Sequence, residues 1–254
     1  MPGKKARSSH SEMGQAAVEA ALTLPLTVFV ILGTLQLFLL LQARSLTQYA
    51  VFHAVRTGSV KHGNCEAMTH AAIATLLPSF ARTDSAGALG SAFRVHRDNV
   101  FNPGWDSGHS GSIVWLVRER PTSAEIRADE EESFDDPARY AGLDDVMRLE
   151  VRMVFWYPMR IPFANWVLTR MFLAHLGMMD YSDADPLMPV HRARWRPGTA
   201  PVTWEGAIRD ELLARTGRKE YVFPLQATYT MRMMTPARAL EFTEQNCPPT
   251  PQGL

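Results

Sequence analysis

One stretch constrains this chain more than any other. From Ala20 to Ala43 there is no ionisable residue, and Ala20 to Leu41 is almost wholly apolar. As a helix, Ala20–Leu41 would be about 33 Å long, enough to cross the hydrocarbon core of a bilayer. At its mouth stands Glu19, a lone carboxylate five positions after Gly14, behind a short leader carrying Lys4, Lys5 and Arg7. A charge at the edge of a membrane span is costly, so it invites a functional reading.

The segment Gly14-Gln15-Ala16-Ala17-Val18-Glu19-Ala20-Ala21-Leu22-Thr23-Leu24-Pro25 resembles a type IV prepilin-like processing site. More closely, it is similar to the TadE and TadG type pseudopilins of the tight-adherence (Flp) pilus machinery. The likeness covers roughly residues 14 to 60 and thins beyond them. It implies cleavage by a prepilin peptidase after Gly14, Gln15 as first mature residue, Glu19 as the glutamate at mature position five, and Pro25 as the early helix proline. It also implies partners: other pilin or pseudopilin subunits, a cytoplasmic assembly ATPase, inner-membrane platform proteins and an outer-membrane secretin.

The glutamate has a physical rationale of its own. Cleavage would expose an amine that must sit among apolar helices when subunits assemble. A carboxylate four residues on lies about 6 Å further along the axis, so Glu19 of one subunit can meet the amine of a neighbour displaced by that rise. Breaking such a buried pair costs about 3–5 kcal/mol. The alternative is that Glu19 reaches the headgroups and complements the helix dipole there.

Composition adds bounds. The 254 residues, 46% hydrophobic, suffice for one membrane helix and one soluble domain with a core. With 26 basic and 26 acidic residues, charge balance points to no nucleic-acid partner. Local charge places residues 1–14 in the cytoplasm and the domain after about Arg44 outside; the resemblance implies that this outside is a bacterial periplasm and the membrane the inner one. A removed signal peptide fits less well, because the apolar run exceeds the usual 7–15 residues and Leu41-Gln42-Ala43 makes a poor cleavage site. Cys65 and Cys247 either pair, which would constrain the unfolded chain by roughly 5 kcal/mol, or remain thiols.

The expected organisation is a leader over 1–14, a transmembrane helix over 15–43, a periplasmic α+β domain over 44–247 and a disordered tail over 248–254. The helix is expected to continue past Arg44, with Leu46, Tyr49, Ala50 and His53 on one face, and to stop near Gly58 and Gly63. Cys65–Leu77 reads as a helix ended by Pro78, Arg82–Ser91 as a loop, and Ala92–His96 and Ser112–Arg118 as short strands. Val146–Tyr157 alternates as a strand. A last strand carries Leu225, Ala227, Tyr229, Met231 and Met233 on one face. Together these predict a small antiparallel sheet with one side covered by the long helix, a pilin-like α+β fold. Pro162–Gly177 reads as a core helix or as an interfacial helix docked on the membrane. Trp204, Ile208 and Leu212 mark a short amphipathic helix, with Thr203 as N-cap.

Catalytic signals are weak. Gly108-His109-Ser110-Gly111-Ser112 lacks the final glycine and the strand-to-helix setting of a nucleophile elbow. The eight histidines form no metal-ligand spacing, and the acidic run Asp129–Asp136 lacks the glycine and alternation of a calcium loop. No cofactor or metal is expected. The reading is a non-enzymatic structural subunit; the alternative is an uncleaved, single-pass membrane-anchored binding module or enzyme.

Overall fold

The structure, a computed structural model, describes residues 10–101, 110–126, 148–175, 205–252 and 254. The chain is α+β. Helix α1 (His10–Val60) is followed by α2 (Cys65–Phe80), α3 (Ala86–His96), strands β1 (Val114–Arg120) and β2 (Arg148–Pro158), α4 (Ala164–His175), α5 (Gly206–Gly217), β3 (Val222–Arg232), a 3-10 turn (Ala239–Phe242) and β4 (Asn246–Cys247). The strands form one sheet in the order β3-β2-β1-β4, with every pairing antiparallel.

The alternation read in the sequence sets the sheet's two faces. In β2, Leu149, Val151, Met153 and Phe155 are all buried, and they pair in register with Met231, Tyr229, Ala227 and Leu225 of β3. This face meets the helices. Phe52 of α1 lies edge-on to Tyr229 with ring centroids 5.2 Å apart, and Phe80 of α2 packs on Phe155. Small residues on α1, namely Ala43, Thr47, Ala50 and Ala54, are buried and let the helix approach closely. Thr47 hides its hydroxyl by donating to the Ala43 carbonyl at 2.7 Å.

The opposite face of the sheet is open as expected at Gln226, Thr228 and Thr230, but it is covered at its Trp115–Trp156 end. Trp156 is fully buried, edge-on to Trp115 and beneath the guanidinium of Arg215 on α5. Ile208 and Leu212 of α5 are buried as their spacing predicts. The helix starts at Gly206 after Glu205, which makes no side-chain cap, while Thr203 and Trp204 lie outside the described residues.

Three further readings change. Residues 86–96, divided in the sequence between a loop and a strand, form α3, because Ser85 caps it by accepting from the Ala88 N–H and Ala92 and His96 are buried. Helix α1 stops at Val60, between Gly58 and Gly63 as expected. Gly58 itself lies within the helix where a Cβ would run into Met68 Sδ, so its small size serves packing against α2. The turn comes at Gly63, with φ +79° and the Phe242 ring where a side chain would go. Pro78 falls inside α2, which runs on to Phe80. Finally, the tail read as disordered is packed: the Thr250 hydroxyl accepts from the Leu116 N–H at 2.8 Å, and Asn246 Nδ2 donates to the Pro251 carbonyl. Proline-rich composition hid these polar ties. The first nine residues, the acidic run Asp129–Asp136 and the connector Asp180–Thr203 lie outside the described residues.

Two devices hold this tail. A disulfide joins Cys65, at the start of α2, to Cys247 in β4. Beside it Arg118, 1% exposed, donates to the carbonyls of Gly63, Glu241, Glu244 and Gln245, with its guanidinium 3.9 Å from the centre of the Phe242 ring. Burial pulls its pKa down to about 10, against the field of Glu241, so it stays charged at neutral pH. Arg118→Met should leave those carbonyls unsatisfied and lower stability by about 2–4 kcal/mol. Cys247→Ser should cost about 2–5 kcal/mol. Urea unfolding of the purified protein measures both, and reductant should lower the wild type but not the cysteine variant.

Candidate functional site

The feature with the most unsatisfied surface is the first half of α1. The helix has 51 residues and is about 76 Å long. Among the described residues it is the one helix long and apolar enough to cross a membrane. Every residue from Ala17 to Val28 is exposed, including Val18, Leu22, Leu24 and Leu26. From Phe29 onward a single stripe turns inward. Gly33, Gln36, Ala43, Thr47, Ala50 and Ala54 are buried at the spacing of one helical face.

The bare shaft is built for an apolar surrounding. Thr23, Thr27 and Thr34 each donate their hydroxyl to the carbonyl four residues earlier, at 2.9, 2.9 and 2.7 Å. These bonds leave no hydroxyl hydrogen seeking water. Pro25 lies inside the helix and lacks an N–H, so the Ala21 carbonyl loses its helical donor. Gly14 and Gln15 are both in helical backbone. Glu19 is exposed, one turn along from them, and its carbonyl accepts from Thr23. Thus Gly14, Gln15, Glu19 and Pro25 share one helix, bare at Glu19 and Pro25, while Cys65 and Cys247 are joined to each other in the domain.

Among the described residues no group of three or more His, Cys, Asp or Glu side chains is placed to hold a metal ion. A groove beside the α1–α2 turn is lined by His62, Asn64, Glu66, His70 and Glu241. Its Asn64 is already engaged, capping α2 through Ala67 and donating to Glu241 at 2.7 Å.

The segment likened to a nucleophile elbow makes a structural tie. The Ser110 hydroxyl donates to Glu220 Oε1 at 2.5 Å, its N–H donates to Oε2, and Arg218 Nε also donates to Oε1 at 3.0 Å. His109 lies outside the described residues. Next to this tie, Gly111 takes φ +93°, where a Cβ would come within 2.7 Å of Arg215 Nη2. That guanidinium, fully buried, donates to Glu211 at 2.6 Å and to the Ser112 carbonyl at 2.9 Å. Neither buried arginine, Arg118 nor Arg215, was legible in the sequence. The only available signal for Arg215 was its position three residues after Leu212 on the apolar face of α5.

Burial by itself would raise the pKa of Glu220, but the bonds from Ser110 and Arg218 more than reverse this and hold it below the usual glutamate value. A depressed carboxyl stabilises the fold above its unfolded value and loses that contribution as pH falls through the folded one. The wild type should therefore lose stability progressively below about pH 4.3. Glu220→Gln should be less stable at neutral pH with a flatter acid limb, as measured by thermal unfolding across pH.

Residues 14–56 match the family model described as TadE-like protein. No curated protein and no solved structure matches the chain.

Proposed function

We propose that this chain, TadE-like over residues 14–56, is a pseudopilin-like structural subunit of a tight-adherence pilus or a related secretion machine, anchored in a bacterial inner membrane. It is processed by a prepilin peptidase after Gly14, so that Gln15 becomes the first residue. The observation that carries the reading is the wholly exposed apolar shaft from Ala17 to Val28 with one carboxylate near its end. Such a surface needs lipid or similar helices around it. Glu19 then neutralises the amine of an adjacent subunit and sets axial register, while the domain after Arg44 faces the periplasm. The protein's work is assembly, not catalysis. Its energy comes from a partner ATPase, and platform proteins receive it in the membrane.

The competing reading is an uncleaved single-pass anchor carrying a binding module or enzyme. N-terminal sequencing of protein taken from the membrane separates the two. A start at Gln15 supports processing, whereas a start at Met1 or Pro2 leaves a simple anchor. Gly14 replaced by a bulky residue should give a longer band. Glu19→Gln should insert into the membrane normally yet fail to assemble, with buried-pair loss of about 3–5 kcal/mol. Wild-type assembly by that variant would remove the register role.

A further inference from the structure

The wholly bare part of α1 is too short for the bilayer it must cross. From Ala17 to Val28 the shaft measures about 18 Å, and starting it at Gly14 gives only about 22 Å, against a hydrocarbon core of about 30 Å. The remaining 8–12 Å, roughly, must lie alongside residues above Val28. There the helix is not alone. Phe163 sits edge-on to Phe29 with ring centroids 5.7 Å apart, and the Ile161 N–H donates to the buried Gln36 side chain at 3.0 Å. The loop before α4, and α4 itself, therefore stand beside the upper part of the apolar run.

We infer that the Ile161–His175 segment, with α4, lies in the membrane as an interfacial helix, seated in the leaflet on the domain side. Four observations suit that surrounding. Phe163, Trp166 and Met171 are exposed, at 55%, 41% and 60%, and Phe163 adjoins the apolar run of α1 at Phe29. Residues 159–175 contain no acid, while the exposed Arg160 suits headgroup depth. Much of the irregular backbone is satisfied internally: besides Ile161, Ala164 N–H donates to Pro162 O, Asn165 N–H to Ile161 O and Met159 N–H to Tyr221 O. Non-helical backbone at this depth requires that. Lastly, Phe163 holds φ +68°, a conformation an aromatic residue rarely takes, and there its ring meets Phe29. Phe172 against Phe223 of β3, at 4.2 Å, ties the helix to the sheet, so α4 would fix the domain's height and tilt over the bilayer. The inference requires that α1 cross a bilayer, but not that Gly14 be a cleavage site.

The test uses the full chain reconstituted in vesicles of phosphatidylethanolamine and phosphatidylglycerol carrying brominated acyl chains. Trp166 emission is obtained as the difference between wild type and Trp166→Phe. Bromines near the headgroups should quench at least about half of it, and bromines at the chain ends less. Separately, Met171→Cys should react with a membrane-impermeant maleimide at least about tenfold more slowly than Leu240→Cys, whose parent side chain is 85% exposed in the domain. Protein that floats with the vesicles but shows no Trp166 quenching, or equal labelling of the two cysteines, overturns the inference and leaves the anchor standing. Protein that does not float overturns both. A disulfide between Met171→Cys of two copies without lipid quenching would assign the face to a second subunit and also overturn it.

Discussion

Everything in this molecule is arranged along one continuous stripe of burial on α1. It begins at Phe29, passes Gly33, Gln36, Ala43, Thr47 and Ala50, and ends against the sheet near Ala54 and Ser59. A helix presents one face to one partner, and below Phe29 the stripe is absent, so a single helix carries both a bare segment and a packed one. Its lower end offers mainly apolar side chains, broken by Glu19, Thr23 and Thr27. Its upper end forms one layer of the domain core, with small side chains at the closest approaches.

At the far end of the domain the constraint is of another kind. Strand β4 is two residues long and pairs only with Leu116 and Val117, too little to hold the C-terminal segment by itself. A disulfide and a buried guanidinium supply what the short strand lacks. Arg118 has carbonyl partners rather than a carboxylate, and its planar donors suit several convergent acceptors at once. Arg215 does comparable work on the other face of the sheet, bridging α5, Ser112 and the Trp156 ring. Polar anchors on both faces leave β2 enclosed from Met153 to Pro158, and that gives the domain a stiff attachment to α1.

Stiffness matters for the proposed role. A subunit that is drawn into an assembly through its first helix transmits force to the domain through residues 29–59. The packing of α1 on α2, β2 and β3, together with α4 beside Gln36, makes rod and domain one mechanical piece. Similarity to TadE-like chains ends at residue 56, close to where α1 turns at Lys61–Gly63. What matches is thus most of the rod, from Gly14 to Arg56.

Features whose cause is local could be read directly from the residues. The apolar run with its single carboxylate, the inward and outward faces of β2 and β3, and the Ile208–Leu212 face of α5 all follow from period and composition. Helix α3 escaped because Gly87, Gly90 and Ser91 look like loop residues until Ser85 caps the turn and α2 packs against Ala92 and His96. The covered end of the sheet's second face, the packed tail, the two buried arginines and the seat of α4 against Phe29 and Gln36 were invisible for one shared reason. Each depends on partners 55 to more than 100 residues away, and no periodicity in a short window encodes which distant acceptor or ring will be there when the chain folds.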